Sequence, residues 1–168
     1  SAGPVSFSIT QGTCEISQGK TTATIQVFPA TDFPPFPEIT AEEVTLAFPQ
    51  FSSTIENVPY AAGIDETRPI LASILFVMEN NSLTCVGTDG YRLAISSTNA
   101  IGEDISITIL VNAKSCTEVV RTIGKSKPEK IGFGLSKELQ QVRLSVGDTY
   151  FLLRLTEGEF PPYQSIIP

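Results

Sequence analysis

The sequence predicts an α+β fold, antiparallel sheets with two helices on one side, and three features of the chain carry that prediction. Short runs alternate apolar and polar residues with a period of two and are separated by Gly, Asn and Asp turns. Two segments switch to the helical period, one after Pro49 and one after Asn112. Around each of them the order is the same: one strand, the helix, then three strands.

The first 30 residues read as strands over Val5 to Thr10, Thr13 to Ser17 and Thr22 to Phe28, joined by Gly-containing turns. The alternation Val44, Leu46, Phe48 then leads into the first helix. Pro49 suits a first turn, Phe51, Ile55 and Val58 fall on one face, and Pro59 ahead of Gly63 ends or kinks the helix. Strands follow over Ile70 to Met78, Leu83 to Gly87 and Arg92 to Ser96, with Asn80-Asn81 and Asp89-Gly90 as turns. Ile107, Ile109 and Val111 repeat the leading alternation 63 residues on (44 to 107). The second helix is capped by Asn112, buries Cys116, Val119, Val120 and Ile123, and ends at Gly124. Ile131 to Leu135, Gln141 to Val146 and Tyr150 to Leu155 complete this half, with turns at Ser136-Lys137 and Gly147-Asp148.

A longer repeat encloses the two halves. Asp32-Phe33-Pro34-Pro35-Phe36 returns as Glu159-Phe160-Pro161-Pro162-Tyr163, 127 residues later (33 to 160), and Thr22 and Thr149 share that spacing. Such a period is a domain length rather than a solenoid repeat. Residues 1–38 are therefore expected to be the C-terminal strands of one domain plus a linker, and residues 39–168 a complete second domain, the chain being a piece of a longer protein.

The composition excludes several classes of function. With no histidine the chain lacks the commonest general base and the commonest metal ligand. Cys14, Cys85 and Cys116 have no C-x-x-C spacing, so neither a zinc site nor a disulfide framework is expected, and the thiols read as free and buried. No apolar run reaches the roughly 18 to 20 residues that cross a bilayer, and the start has no signal-peptide pattern, so a cytoplasmic protein without membrane contact is expected. Paired acids at Glu42-Glu43 and Asp65-Glu66 have neither a nucleophile nor a third ligand near them. Gly132-Phe133-Gly134 lacks the helix that a phosphate loop requires. No enzyme activity, cofactor or metal is predicted.

Asp65-Glu66-Thr67-Arg68-Pro69-Ile70-Leu71, then Gly87-Thr88-Asp89-Gly90-Tyr91-Arg92-Leu93-Ala94, then Gly158-Glu159-Phe160-Pro161-Pro162-Tyr163 through Pro168 together resemble the bacterial DNA polymerase III beta subunit, the sliding clamp. The resemblance covers essentially the whole chain, from the last strands of the family's first domain to the end of its second. It implies a DNA-clamp fold with helices on the inner face and sheets outside, in a ring of two head-to-tail subunits around duplex DNA. This piece lacks a third domain and is expected to be monomeric.

The resemblance also implies a hydrophobic pocket that receives short peptides from the polymerase III alpha subunit, the clamp loader and repair polymerases. Residue by residue this chain supplies Leu71, Thr88, Gly90, Tyr91, Arg92, Leu93, Pro161 and Ile166, with Tyr91 where many relatives carry histidine. Taken alone, Thr88-Asp89-Gly90 is a hairpin turn. Lys114, Arg121 and Lys125 form a stripe opposite the apolar face of the second helix, and residues 114–130 hold five basic and two acidic residues in a chain of net charge −7. A stripe of this kind contacts phosphates without reading bases, and the resemblance places it toward DNA; otherwise it reads as a solvated helix face. The acidic Asp65-Glu66 loop is not assigned to DNA. The competing reading is a non-enzymatic β-rich surface or carbohydrate-binding module, suggested by abundant Ser and Thr. Two helices in equal phase argue against it.

Overall fold

A computed structural model describes residues 3–33, 43–99, 101, 102 and 105–166, the last by its backbone only. Pro34-Pro35-Phe36, Glu42, Ile167 and Pro168, with the expected boundary between the domains, lie outside the described residues. The chain divides into two compact units, Ser1–Glu38 and Ile39–Pro168.

In the first unit, β1 (Ser6–Thr10), β2 (Thr13–Gln18) and β3 (Thr21–Gln26) form an antiparallel meander in the order β1-β2-β3. The Gln11-Gly12 turn has positive φ at both residues, as a tight connection between twisted strands requires. Cys14 is buried, while Phe7 and Ile9 on β1 remain exposed.

In the second unit, β4 (Glu43–Ala47) runs directly into α1 (Phe48–Glu56). Phe48 therefore opens the helix instead of ending the strand: its N–H donates to the Glu129 carbonyl at 2.9 Å, and Pro49 at the next position has no N–H to satisfy. Phe48, Phe51, Thr54 and Ile55 form the buried stripe. Val58 is buried as expected but lies past the helix end, before the 3-10 turn Pro59–Ala61.

Strands β5 (Ser73–Glu79), β6 (Ser82–Thr88), β7 (Leu93–Asn99) and β8 (Ile107–Asn112) come next, then α2 (Ala113–Gly124). The Asn112 side chain accepts a hydrogen bond from the Ser115 N–H at 3.0 Å, the expected cap. Val119 is only half-buried, because the inward face of this helix is centred on Ala113, Cys116, Val120 and Ile123. Strands β9 (Lys130–Ser136), β10 (Gln141–Val146) and β11 (Thr149–Arg154) complete the unit.

The leading strand of each half does not pair with the other strands of its own half. One sheet has the order β7-β6-β5-β8 and the other β11-β10-β9-β4, all antiparallel, so the leading strand of each half closes the sheet of the other. One continuous core joins both sheets to both helices, with Leu46, Phe51, Ile55, Phe76, Leu83, Phe133 and Leu144 at its centre. Cys85 and Cys116 are in this core. Burial pushes the Cys116 thiol up to about 12 and raises Cys85 well above its ordinary value, helped by the neighbouring Cys116.

Strand β10 explains the Gly132-Phe133-Gly134 sequence. Glu43 on β4 reaches across β9 at the glycines to Arg143, at 2.6 Å, and to the Ser145 hydroxyl. A Cβ at Gly132 would collide with the Glu43 carboxylate, so the glycine is a passage for a side chain, not a phosphate loop.

Candidate functional site

The sheet β7-β6-β5-β8 is buried on both faces over part of its area. Ile74, Phe76, Met78, Leu83 and Cys85 face the helices; Leu75, Val86 and Leu110 form a second small core on the other side, with Ile70, Val77, Leu93, Phe160 and Tyr163 packed on it. The C-terminal segment thus lies across the outer face of the sheet and brings Pro161 to the start of β5. Two contacts hold it there, and a third fixes the Ser73 hydroxyl that makes one of them. The Thr156 N–H donates to the Leu110 carbonyl at 2.8 Å, and the buried Ser73 hydroxyl lies 2.7 Å from the Pro69 carbonyl and 2.8 Å from the Thr156 hydroxyl. At Gly158 (φ +128°) a Cβ would come within 2.6 Å of Ile70 Cδ1, so glycine lets Ile70 pass beneath the segment.

Between the two walls is a largely apolar cavity of about 520 Å³, lined by Arg68, Pro69, Ile70, Leu71, Glu159, Phe160, Pro161 and Pro162. A smaller hollow of about 220 Å³ adjoins it at Arg68 and Leu71, and is lined further by Gly63, Ile64, Asp65, Asp89, Tyr91 and Arg92. Of the residues expected at a pocket, Leu71 and Pro161 meet in the first cavity, while Leu71, Tyr91 and Arg92 meet in the second. Leu93 packs with Ile70 and Phe160 in the small core. Thr88 is buried, and Gly90 makes the turn at φ +93°. The backbone of Ile166 ends a 3-10 turn, Tyr163–Ile166. Arg68, Ile70 and Phe160, inside the same motifs, and Ser73, just past one of them, were not expected at the site; nothing in a linear pattern marks a strand-entry residue as a pocket wall.

The turn after β6 is braced by side chains. Thr88 Oγ1 donates to the Arg92 carbonyl at 2.8 Å and accepts from the Gly90 N–H at 3.1 Å. Asp89 accepts from the Tyr91 and Arg92 N–H groups at 2.9 and 3.0 Å and pairs with Arg92 Nε at 2.8 Å. The Tyr91 and Arg92 amides, helped to a lesser degree by the Arg92 side chain, hold the Asp89 carboxyl below its ordinary value against opposing desolvation. Tyr91 is left 99% exposed at the tip, free to meet another molecule. In the adjoining loop the Thr67 hydroxyl and N–H likewise lower Asp65. Because the folded carboxyl of Asp89 is the stronger acid, the bracing is fully present above about pH 4, the ordinary aspartate value, and is lost as pH falls through the lowered one. In an NMR titration the Tyr91 and Arg92 amide shifts are expected to move together with a midpoint below that of free aspartate. A midpoint at or above the free value would remove the bracing role.

On and just after α2, Lys114, Arg121 and Lys125 are all exposed, Lys125 just past the end of the helix. Glu118 shares the helix face of Lys114 and Arg121, and all three line a cleft of about 600 Å³ whose far side is Pro59 to Glu66. The face is therefore mixed in sign. Among the described residues no group of three or more Cys, Asp or Glu is placed to hold a metal, and no helix is long and apolar enough to cross a membrane.

Solved structures identify the class of protein to which this fold belongs. The chain superposes on the DNA polymerase III beta subunit of Thermotoga maritima with a TM-score of 0.80 at 26% identity, covering 98% of this chain and 44% of that one. The beta subunit of Pseudomonas aeruginosa shares the fold with a TM-score of 0.81 at 23% identity, over 98% of this chain and 45% of that one. The fold is that of the DNA clamps. In sequence, the chain is 30% identical over 167 residues to the beta sliding clamp of Micrococcus luteus, covering 94% of this chain and 53% of that protein. Residues 45–162 match the family described as DNA polymerase III beta subunit, central domain, and the chain belongs to that family. It spans about half the length of the curated relative it matches.

Proposed function

We propose that this chain is a segment of a non-catalytic sliding clamp that works in the cytoplasm, tethering replication and repair proteins to duplex DNA. Residues 1–38 are the end of the clamp's first domain and residues 39–168 its middle domain. The intact protein is a two-subunit ring. The observation that carries this reading is the apolar cavity between Leu71 and Pro161 beside the braced Thr88–Leu93 turn, in a chain of the clamp family. A preformed apolar recess with a few oriented polar groups suits a short peptide anchored by two apolar side chains. The partners are the polymerase III alpha subunit, the clamp loader and repair polymerases. Thr88, Gly90 and Arg92 shape the rim, Tyr91, Leu71 and Pro161 offer contact surface, Leu93 backs it, and Ile166 is assigned to the pocket by the family resemblance.

Lys114, Arg121 and Lys125 face the DNA. Glu118 on the same helix face weakens each phosphate contact, which suits a protein that slides.

The test is titration of a polymerase-derived peptide against the wild-type chain, Leu71→Ala and Leu93→Ala, with circular dichroism to show that each variant stays folded. About tenfold weaker binding by Leu71→Ala is expected, the loss of roughly 1.4 kcal/mol. Unchanged binding by both folded variants would remove the pocket assignment.

A further inference from the structure

The segment Glu159-Phe160-Pro161-Pro162 has cavities on both sides. One is the pocket described above. The other, about 730 Å³, is the larger of the two; Leu75, Val77 and Leu110 line it together with Glu157, Tyr163 and Gln164. All four residues of the segment line both cavities, so the two share one wall.

Their charges differ. The pocket has Arg68 on the Leu71 side and Glu159 on the shared wall. Among the described residues, the charged ones that line the second groove are Glu157 and Glu159. Both are exposed, and neither has a hydrogen-bond or ion-pair partner among the described residues. An apolar floor edged by two unpaired carboxylates fits a long cationic side chain. The aliphatic stem of a lysine or arginine lies along Leu75, Val77 and Leu110 while its head stays in water beside the acids. An acidic side chain in the same place would meet like charge from both.

We infer that the groove beside Glu157 and Glu159 is a second docking subsite, and that the partner segment filling the pocket crosses Pro161 and Pro162 to place a basic residue in it. This deepens the pocket reading and rests on it. The polarity also orients the segment, with its basic end toward Glu157 and away from Arg68.

The test uses the full chain and fluorescein-labelled peptides holding two adjacent leucines, with Lys-Ser-Lys either before or after them, and copies with glutamine for each lysine. In one of the two orders the lysine peptide is expected to bind about three- to tenfold more tightly than its glutamine copy in dilute buffer, and the gap to narrow in high salt as screening grows. In Glu157→Lys the ratio between the two is expected to collapse to about one. Because the ratio is measured within each variant, a general loss of stability does not imitate the result. Equal binding of lysine and glutamine peptides by the wild type, or a preference that survives Glu157→Lys, overturns the inference. Leu71→Ala separates the two readings: if it leaves the glutamine peptide's affinity unchanged, the pocket fails, whereas a weakened glutamine peptide with no lysine preference leaves the pocket standing and removes the groove.

Discussion

Phe51→Ala is expected to destabilise the chain by about 3–5 kcal/mol, the usual loss for an aromatic removed from a packed core. Phe51 is 1% exposed, and its ring meets Phe76 of β5 with centroids 6.4 Å apart and planes tilted by 33°. With Phe76, Cys116, Phe133 and Leu144 it encloses a void of only about 10 Å³, so the surroundings have no spare space with which to refill a lost ring. The helix that carries it has nine residues, too short to be stable in isolation. It exists because its Phe48, Phe51 and Ile55 stripe is buried. Against a native stability of roughly 5–15 kcal/mol for a domain, the loss is large. Urea unfolding followed by circular dichroism and fluorescence measures it, and Phe51→Leu, which keeps most of the volume, is expected to lose less than about 1.5 kcal/mol. A shift under about 1 kcal/mol for Phe51→Ala at unchanged m-value would mean that α1 is not anchored through this residue.

Gly87→Ala is expected to cost about 1–3 kcal/mol although it adds a single methyl group. Gly87 pairs with Ala94 across β6 and β7, and a Cβ there would stand 2.8 Å from Val58 Cγ1 and 3.0 Å from the Val58 carbonyl oxygen. Val58 is fully buried and β-branched, so it has no alternative rotamer to retreat into, and the carbonyl belongs to the backbone. Relief requires the segment from Val58 through the Pro59–Ala61 turn to lift off the sheet. That segment continues to Gly63, whose N–H donates to the Leu71 carbonyl at 2.7 Å, so the strain reaches the pocket wall. Lower urea stability together with weaker peptide binding is the expected pair of results. Unchanged stability would show that the segment after α1 yields freely and is no part of the rigid support of the pocket.

Much of this architecture was legible along the chain. The strand at 141–146 has the expected limits, the cap at Asn112 follows from the chemistry of helix ends, and α2 ends with Gly124 as expected, although Gly124 stays helical and the left-handed residue comes later, at Lys127. The Asp89-Gly90 turn was legible for the same local reason. Ile70-Leu71-Ala72 was not: an apolar run before a strand reads as strand, but the Ala72 N–H is taken by the Arg68 carbonyl and the Ser73 N–H by the Ile70 carbonyl. Those residues form a turn, and the turn makes Leu71 a pocket wall instead of a sheet residue. The resemblance singled out Leu71 and Pro161, but the partners that bring them together, Ser73 and Thr156, are 83 residues apart and carry no shared motif.

By itself the sequence determined which residues alternate, which segments wind into helices and that Asn112 caps the second of them, because those follow from side-chain period, prolines, glycines and caps within a few positions. It also placed the chain in its family through motifs at fixed spacings. Only the tertiary structure decided that β4 closes the sheet of the second half and β8 that of the first. Backbone N–H and C=O groups are alike in every strand, so an unpaired edge has no local label for its partner. The choice is made by which arrangement buries both helix stripes in one core, and the same arrangement carries the C-terminal segment over the outer face of the sheet to make the pocket.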